Sequence, residues 1–370
     1  MFEAYPGPAT IGGGFQIAPN GMRVLERIGL AHAVAAAGVP SSEFVFRNRH
    51  GRIVGRIDIS SAGQGITLLR SAFHRILLEE TAGRGVSIAY GKRLRAIESL
   101  RNTIVAHFDD GSTATGDVLV ASDGVHSSAR AILLPNHAAA RYTGFLGVGG
   151  FAESPDAAPR DPADAHRLNF TMGARLLFGY ALVSAQPARW GWWTHLPQAR
   201  ELSRQELMAM PDAEIRAAVA EAFRGCHAPI DALVASIGPI MRTAIYDVPS
   251  LPTWHVGRAM LVGDAAHAMS PAGGQGASLA LEDAMVVSEY LTRGRPIEAA
   301  FADAESLLRP RAERMVKQAA DNDRRQLNEM GTVGQWMRDR LFPVFTPLMA
   351  RELLRQYGAL RDFSTAGAAA

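Results

Sequence analysis

The run "LVGDAAHAMSPAGGQGASLALEDA" at 261–284 constrains this chain more than any other stretch. An apolar segment ends in Gly263-Asp264. A loop with Pro271, Gly273 and Gly274 follows, and a helical pattern opens near Gly276. An acid at a strand end accepts hydrogen bonds from sugar hydroxyls. The N–H groups that open a helix take up a phosphate or an electron-rich carbonyl. Glycine lets a flat ring approach the backbone closely. A plain strand-to-helix turn is the bland reading. The length and order of the run favour a site for an extended polar ligand with phosphates.

A second run, "LVASDGVHSSAR" (119–130), places Asp123-Gly124 after a buried apolar strand at 118–121. Alone, Asp-Gly is a turn signal. The chain has 370 residues, more than one core usually holds, so two lobes are expected. Apolar residues make up 48% and charged residues 20%, the balance of an ordinary globular chain. The net charge of +2 speaks for neither a nucleic acid nor an anionic membrane as partner. The single cysteine, Cys226, allows no internal disulfide framework and fits a reducing cytoplasm. It reads as a small buried apolar residue. No apolar run reaches bilayer length, no secretory signal opens the chain, and "STAGAAA" at the end reads as a frayed tail. No metal site is expected.

Spacing predicts a helix over 20–35 capped by Asn20, a hairpin at 44–59 turning at His50-Gly51, and a helix over 71–85. A strand at 86–90 and a hairpin around Asp110-Gly111 follow. From 142 to 248 strand-like runs such as "LLFGYALV" and "RWGWWTHLP" surround a polar helix near 203–224, which suggests a mainly antiparallel second lobe. A buried strand at 258–266 and a long helix at 276–291 come next. The remainder is helical, with Pro343 and Pro347 as breaks. The basic run Arg309–Arg325 is interspersed with acids and reads as a solvated helix face. The segment 336–349 reads as a helix packing on the lobe that carries the glycine loop, with a partner or membrane contact as the alternative.

Together the runs at 119–130 and 261–284, in the family's order and separation, resemble the flavin-binding motifs of the FAD-dependent aromatic hydroxylases, the para-hydroxybenzoate and salicylate hydroxylase family. A third run, "IGGGFQIAPNGMRVLERIGL" (11–30), resembles the segment that passes beside the flavin ring in that family. The resemblance covers nearly the whole chain. It implies an α/β fold: an FAD-binding Rossmann-like parallel sheet, N-terminally incomplete, with a second, mainly antiparallel sheet lobe and C-terminal helices. "MFEAYPG" matches the end of the family's second strand, with Glu3 as the acid on the adenosine ribose. The family's first strand and phosphate loop would precede Met1, so "IGGG" is not a phosphate loop. Truncation of a flavoenzyme is the favoured account. A gap filled by another chain, or loss of FAD, is the alternative.

The resemblance further implies a monooxygenase using FAD, NADH or NADPH, and O₂, in which a flavin hydroperoxide hydroxylates an aromatic or polyketide-like small molecule. Gly13, Gly14, Asp123, Gly124 and Asp264 would contact cofactor. Pro271 and Gly274 would lie at the reactive edge of the ring, and Gly276 and Ala277 would offer N–H groups to it. Arg70 matches a family position on FAD or is a solvated arginine at a helix start. Phe170, Phe178 and Trp193 are substrate-contact candidates or core. His195 is a candidate base for a phenol or a hydrogen-bonded strand residue. Expected domains are 1–44, 63–141 and 250–310 for FAD, 45–62 and 142–249 for substrate, and 311–370 as C-terminal helices. Monomer and homodimer both remain open. A non-redox, cyclase-like enzyme or a flavin-free remnant is the alternative to the monooxygenase.

Overall fold

The computed structural model describes residues 1–8, 12–137, 139–154, 157–236, 238–271, 274–326, 330–360 and 363. Gly273 and the 364–370 tail lie outside these residues. The chain divides into two compact units. The first comprises Met1–Thr10, Leu77–Thr143 and Tyr246–Asp323; the second comprises Ile11–Ile76, Gly144–Ile245 and Arg324–Ala370.

In the first unit, strand Leu119–Ala121 runs parallel to Ala259–Leu261, in the register Leu119↔Ala259 and Ala121↔Leu261. Strand 259–261 is fully buried, as its apolar run predicts. Strand 119–121 is not: Val120 is 44% exposed, and 259–261 is the strand's single partner among the described residues. The expected strand at 86–90 reduces to a parallel bridge between Phe2 and Ala89. The Glu3 N–H donates to Ala89 O at 2.9 Å beside it. The hairpin Ile104–Phe108/Thr113–Gly116 turns through Gly111, as its Asp-Gly signal demands. The basic run on helix Ile297–Gln326 is less solvated than expected. Arg311 is buried against Glu282, and Arg309 pairs with Glu305 and Glu313.

The second unit is built on a seven-stranded, mainly antiparallel sheet. Its order is Met241–Asp247, Arg141–Ala152, Ala188–Pro197, Leu177–Ala185, Arg167–Met172, Glu43–Asn48, Ile53–Asp58. Strands 167–172 and 43–48 are the parallel exception. One face buries Phe178, Tyr180, Trp190 and Trp192 against Ile215, Val219, Phe223 and Leu233 of the covering helices. The helix expected at 203–224 is two helices, Arg204–Ala209 and Asp212–Ala222. Pro211 turns Met210 extended and divides them.

A small sheet of Gly14–Ile17, Gly65–Leu69 and Val39–Ser41 belongs to the same unit. Strand 65–69 packs on strand 177–185. That packing carries residues 11–44 and 63–76 into the sheet unit rather than with the cofactor segments, while 311–323 joins the first unit and 324–370 the second. The expected helix at 20–35 divides into Pro19–Arg27 and Ala31–Ala37 around Gly29, whose φ is +83°. Ala18 is the N-cap, so Asn20 lies inside the first turn and does not cap it.

Helix Thr332–Gly358 is continuous through Pro343 and Pro347. Each proline removes one N–H, but tertiary packing holds the helix. It lies on strand Ile53–Asp58, where a Cβ on Gly55 would come within 2.8 Å of both Phe342 and Thr346. Its Phe342 ring meets Phe46 at 5.1 Å. The helix thus packs on the sheet unit, where it also meets helix Pro19–Arg27.

Candidate active site

Strands 119–121 and 259–261 are adjacent and parallel, so the loops that follow them leave from the same end of the sheet. The carboxyl ends of parallel strands are where α/β folds bind ligands. After Leu261 the chain turns through Gly263, whose φ of +56° disfavours any side chain. Asp264 follows at the start of a short helix; it is exposed and has no hydrogen-bond partner among the described residues. Helix Gly276–Thr292 opens with Gln275 as N-cap and no capping side chain. No N-cap side chain takes up the N–H groups that open it, those of Gly276 and Ala277 first among them. A Cβ on Gly276 would sit 4.0 Å from Asp264 Oδ1, and one on Gly274 would meet open space. Gln275 Oε1 is buried with no partner. A carboxylate, an uncapped helix N-terminus, two uncrowded glycines and an orphan acceptor are together a donor and acceptor set that fits the ribityl chain and polar ring edge of a flavin.

The Asp123 loop is tied to this one. Arg130, 5% exposed, donates from Nη1 to Ala265 O at 2.8 Å and from Nη2 to Val125 O at 2.6 Å. Burial pushes its guanidinium pKa below the usual value, against the opposing pull of Asp123. Asp123 accepts from the Ser127 hydroxyl and from the Ala129 N–H at 3.0 Å, so both oxygens shape the turn that contains Gly124. Glu3 spends one oxygen on the Tyr5 N–H at 2.8 Å.

Behind the Asp264 turn lies a dyad. His267 Nε2 is 2.7 Å from Asp283 Oδ2, and that same oxygen accepts the Gly263 N–H at 2.8 Å. Burial works against a charged His267, but the Asp283 carboxylate outweighs it and raises the imidazole pKa. His267 is thus held inside the fold, where it positions the turn rather than facing a ligand.

The second unit holds the remaining candidates. The Gly13 carbonyl accepts the Arg70 N–H at 2.9 Å, and a Cβ on Gly12 would press on Arg70 Cβ at 2.9 Å. A Cβ on Gly14 would strike Val183 at 2.5 Å. The triple glycine therefore allows close packing on Arg70 at Gly12 and on Val183 at Gly14; the Arg70 side chain itself is exposed. It leads into a strand, not a helix, which excludes a phosphate loop.

Phe170, Gly179, Trp193 and Gly149 follow one another across the strands and share a face. His195 is two residues on from Trp193 and points the same way. The Trp193 indole lies over Gly179, where a Cβ would be 2.3 Å from the ring, and meets the Phe170 ring edge-on at 6.0 Å. Phe178 is on the other face. It is fully buried, stacked on Trp192 under the covering helices, and does not line the Phe170 surface. Sequence reading missed Arg130 as the link between the loops and Gln275 and Asn20 as orphans; both Asn20 amide atoms are buried without a partner. A polar residue inside an otherwise apolar motif was the available signal.

Residues 3–319 match the FAD-binding-domain family. The chain belongs to that family. Its relatives include 6-hydroxynicotinate 3-monooxygenase of Pseudomonas fluorescens, 28% identical over 341 residues, spanning 89% of this chain and 86% of the relative. They also include the FAD-dependent urate hydroxylase of Klebsiella pneumoniae, 26% identical over 314 residues, spanning 83% and 78%. In fold it is similar to Klebsiella pneumoniae HpxO, solved with FAD and uric acid, with a TM-score of 0.83 at 24% identity, covering 97% of this chain and 90% of that one. This member of the FAD-binding-domain family is accordingly an FAD-dependent monooxygenase, with NAD(P)H as the family's reductant. Among the described residues, no helix is long and apolar enough to cross a membrane.

Proposed function

We propose that this FAD-dependent monooxygenase hydroxylates a small, electron-rich aromatic ring that already bears a hydroxyl or similar donor group. The observation that carries the cofactor assignment is the Arg130–Ala265 tie, which joins two loops at the ends of adjacent parallel strands. The relatives act, by name, on 6-hydroxynicotinate and urate, both polar and electron-rich heterocycles. FAD, when bound, activates O₂ and carries the oxidising chemistry.

Asp264 would hold the ribityl or pyrophosphate part, and the N–H groups of Gly276 and Ala277 the ring carbonyls. Pro271 and Gly274 would border the ring. Glu3, with one oxygen left over, would take an adenosine ribose hydroxyl. Asp123 and Gly124 would shape the turn that meets cofactor or nicotinamide. Gly13 and Gly14 would place Arg70 for the cofactor. Phe170 and Trp193 would receive the ring and keep water from it. His195 would take the proton of a substrate hydroxyl at a ring nitrogen, which enriches the ring in electrons. The small net charge gives no field for a nucleic acid, and the lone Cys226 suits a reducing cytoplasm.

The test is turnover of FAD-loaded protein with NADH or NADPH under ¹⁸O₂, against hydroxylated pyridines, benzoates and purines. Substrate-stimulated reductant oxidation with one labelled oxygen in the product supports the reading. Reductant oxidation that no aromatic stimulates, with no labelled product, overturns it.

A further inference from the structure

The register of the seven-stranded sheet sorts the Phe170 face into two rows, both within the second unit. The first row is aromatic and glycine: Phe46, Phe170, Gly179, Trp193 and Gly149 stand side by side on successive strands. The second row lies two residues further along. There His195 is paired with Gly147. On the other side of Gly147 runs strand Met241–Asp247. A Cβ on Gly147 would lie 3.3 Å from Thr243 Cγ2 and 3.5 Å from Ile245 Cδ1, so these two side chains share its face.

The backbone does not demand glycine at 147. Its φ is outside the left-handed region, and a methyl there would press only slightly on Thr243. The missing side chain instead leaves a trough between His195 and Thr243. Neighbouring strands are about 4.8 Å apart, so these residues, with one strand between them, stand about 10 Å apart at their Cα atoms. The Trp193 indole leans away from the trough, over Gly179 and toward Phe170. The two ends of the trough differ. At one is the His195 imidazole, buried beside Phe145. At the other is Thr243, exposed, whose hydroxyl donates to the Ala244 carbonyl at 3.2 Å and keeps its lone pairs as acceptors. Neither row contains Lys or Arg, so no fixed positive charge meets a carboxylate there. A ring with its reacting hydroxyl at His195 presents its opposite side to Thr243, where a neutral hydroxyl or N–H finds an acceptor.

We propose that Thr243 is a specificity-determining residue, selecting an aromatic ring that carries a second, neutral hydrogen-bond donor para to the hydroxyl facing His195. The inference rests on the proposed hydroxylation of an aromatic ring at this surface. The test is calorimetric titration of the FAD-loaded protein, without reductant and under argon, with hydroquinone, phenol and 4-hydroxybenzoate. Wild type, Thr243→Val and Thr243→Ser are compared. Wild type is expected to bind hydroquinone about 3- to 10-fold more tightly than phenol, and 4-hydroxybenzoate most weakly. Thr243→Val should erase the preference by weakening hydroquinone alone, and Thr243→Ser should keep it. A Thr243→Val protein that loses phenol as much as hydroquinone would assign Thr243 to the fold and overturn the inference. So would a wild type that prefers 4-hydroxybenzoate, or one that binds none of the three. Turnover under ¹⁸O₂ separates this from the proposed function. The expected preference without hydroxylation of any aromatic supports the selection by Thr243 and removes the proposed reaction. Hydroxylation of aromatics with no preference for hydroquinone over phenol keeps the reaction and overturns the selection.

Discussion

His267 and Asp283 meet 2.7 Å apart, each side chain only 2% exposed, and the same Asp283 oxygen holds the Gly263 N–H. One carboxylate thus fixes both ends of the turn that presents Asp264. Removing one partner of a buried pair leaves the other uncompensated, at about 3–5 kcal/mol. Asp283→Asn or His267→Leu should lower the melting temperature by many degrees, measured by thermal denaturation without cofactor.

The same pair sets a pH dependence. The folded His267 pKa is raised above its unfolded value of about 6.5, because the Asp283 charge, with Asp264 nearby, outweighs burial. The dyad's contribution is therefore complete below about pH 6.5 and is lost as pH rises through the raised value. Melts of wild type should fall more steeply on the alkaline side of neutrality than melts of His267→Gln. Parallel curves would contradict the assignment.

Arg130→Lys should loosen the cofactor loops although charge is kept. A lysine lacks the planar fork that reaches both Ala265 O and Val125 O. Charge-assisted hydrogen bonds are worth about 1.5–3 kcal/mol, so FAD affinity should drop roughly 10- to 100-fold. Fluorescence titration with FAD reads this directly.

Gly179→Ala should disturb substrate and spare cofactor. The new methyl would sit where the Trp193 indole lies, 2.3 Å away, so the ring must shift. Overpacking of this kind costs about 1–3 kcal/mol. The tryptophan emission should change and KM for the aromatic substrate should rise, while the FAD dissociation constant stays as in wild type.

Much of this site was legible in sequence because its parts are local. Gly263-Asp264, the loop and the helix opening at Gly276 lie in one run, and local geometry follows from glycine and strand-to-helix order. The sheet lobe was legible from alternation, yet the face of each aromatic was not. Phe178 and Phe170 look alike in sequence, and only the register Phe170↔Gly179 and Phe178↔Thr194 separates surface from core. Unit boundaries failed for a similar reason. Strand 65–69 joins the sheet unit through contact with strand 177–185, more than a hundred positions away. The prolines of helix Thr332–Gly358 misled because tertiary packing on Gly55 outweighs their local cost.

The most direct measurement is the visible spectrum of the protein titrated with FAD, wild type beside Asp264→Ala. Asp264 is exposed, has no side-chain hydrogen bond among the described residues and faces the uncapped start of helix Gly276–Thr292, so its loss should cost cofactor far more than fold, to which it adds only a minor charge term beside His267. The account predicts a saturable, perturbed flavin band for wild type. Asp264→Ala should bind FAD more weakly by roughly 10- to 100-fold, with a melting temperature without cofactor that falls far less than that of Asp283→Asn. A variant that binds FAD as tightly as wild type, or a folded wild type that takes up no flavin, would contradict it.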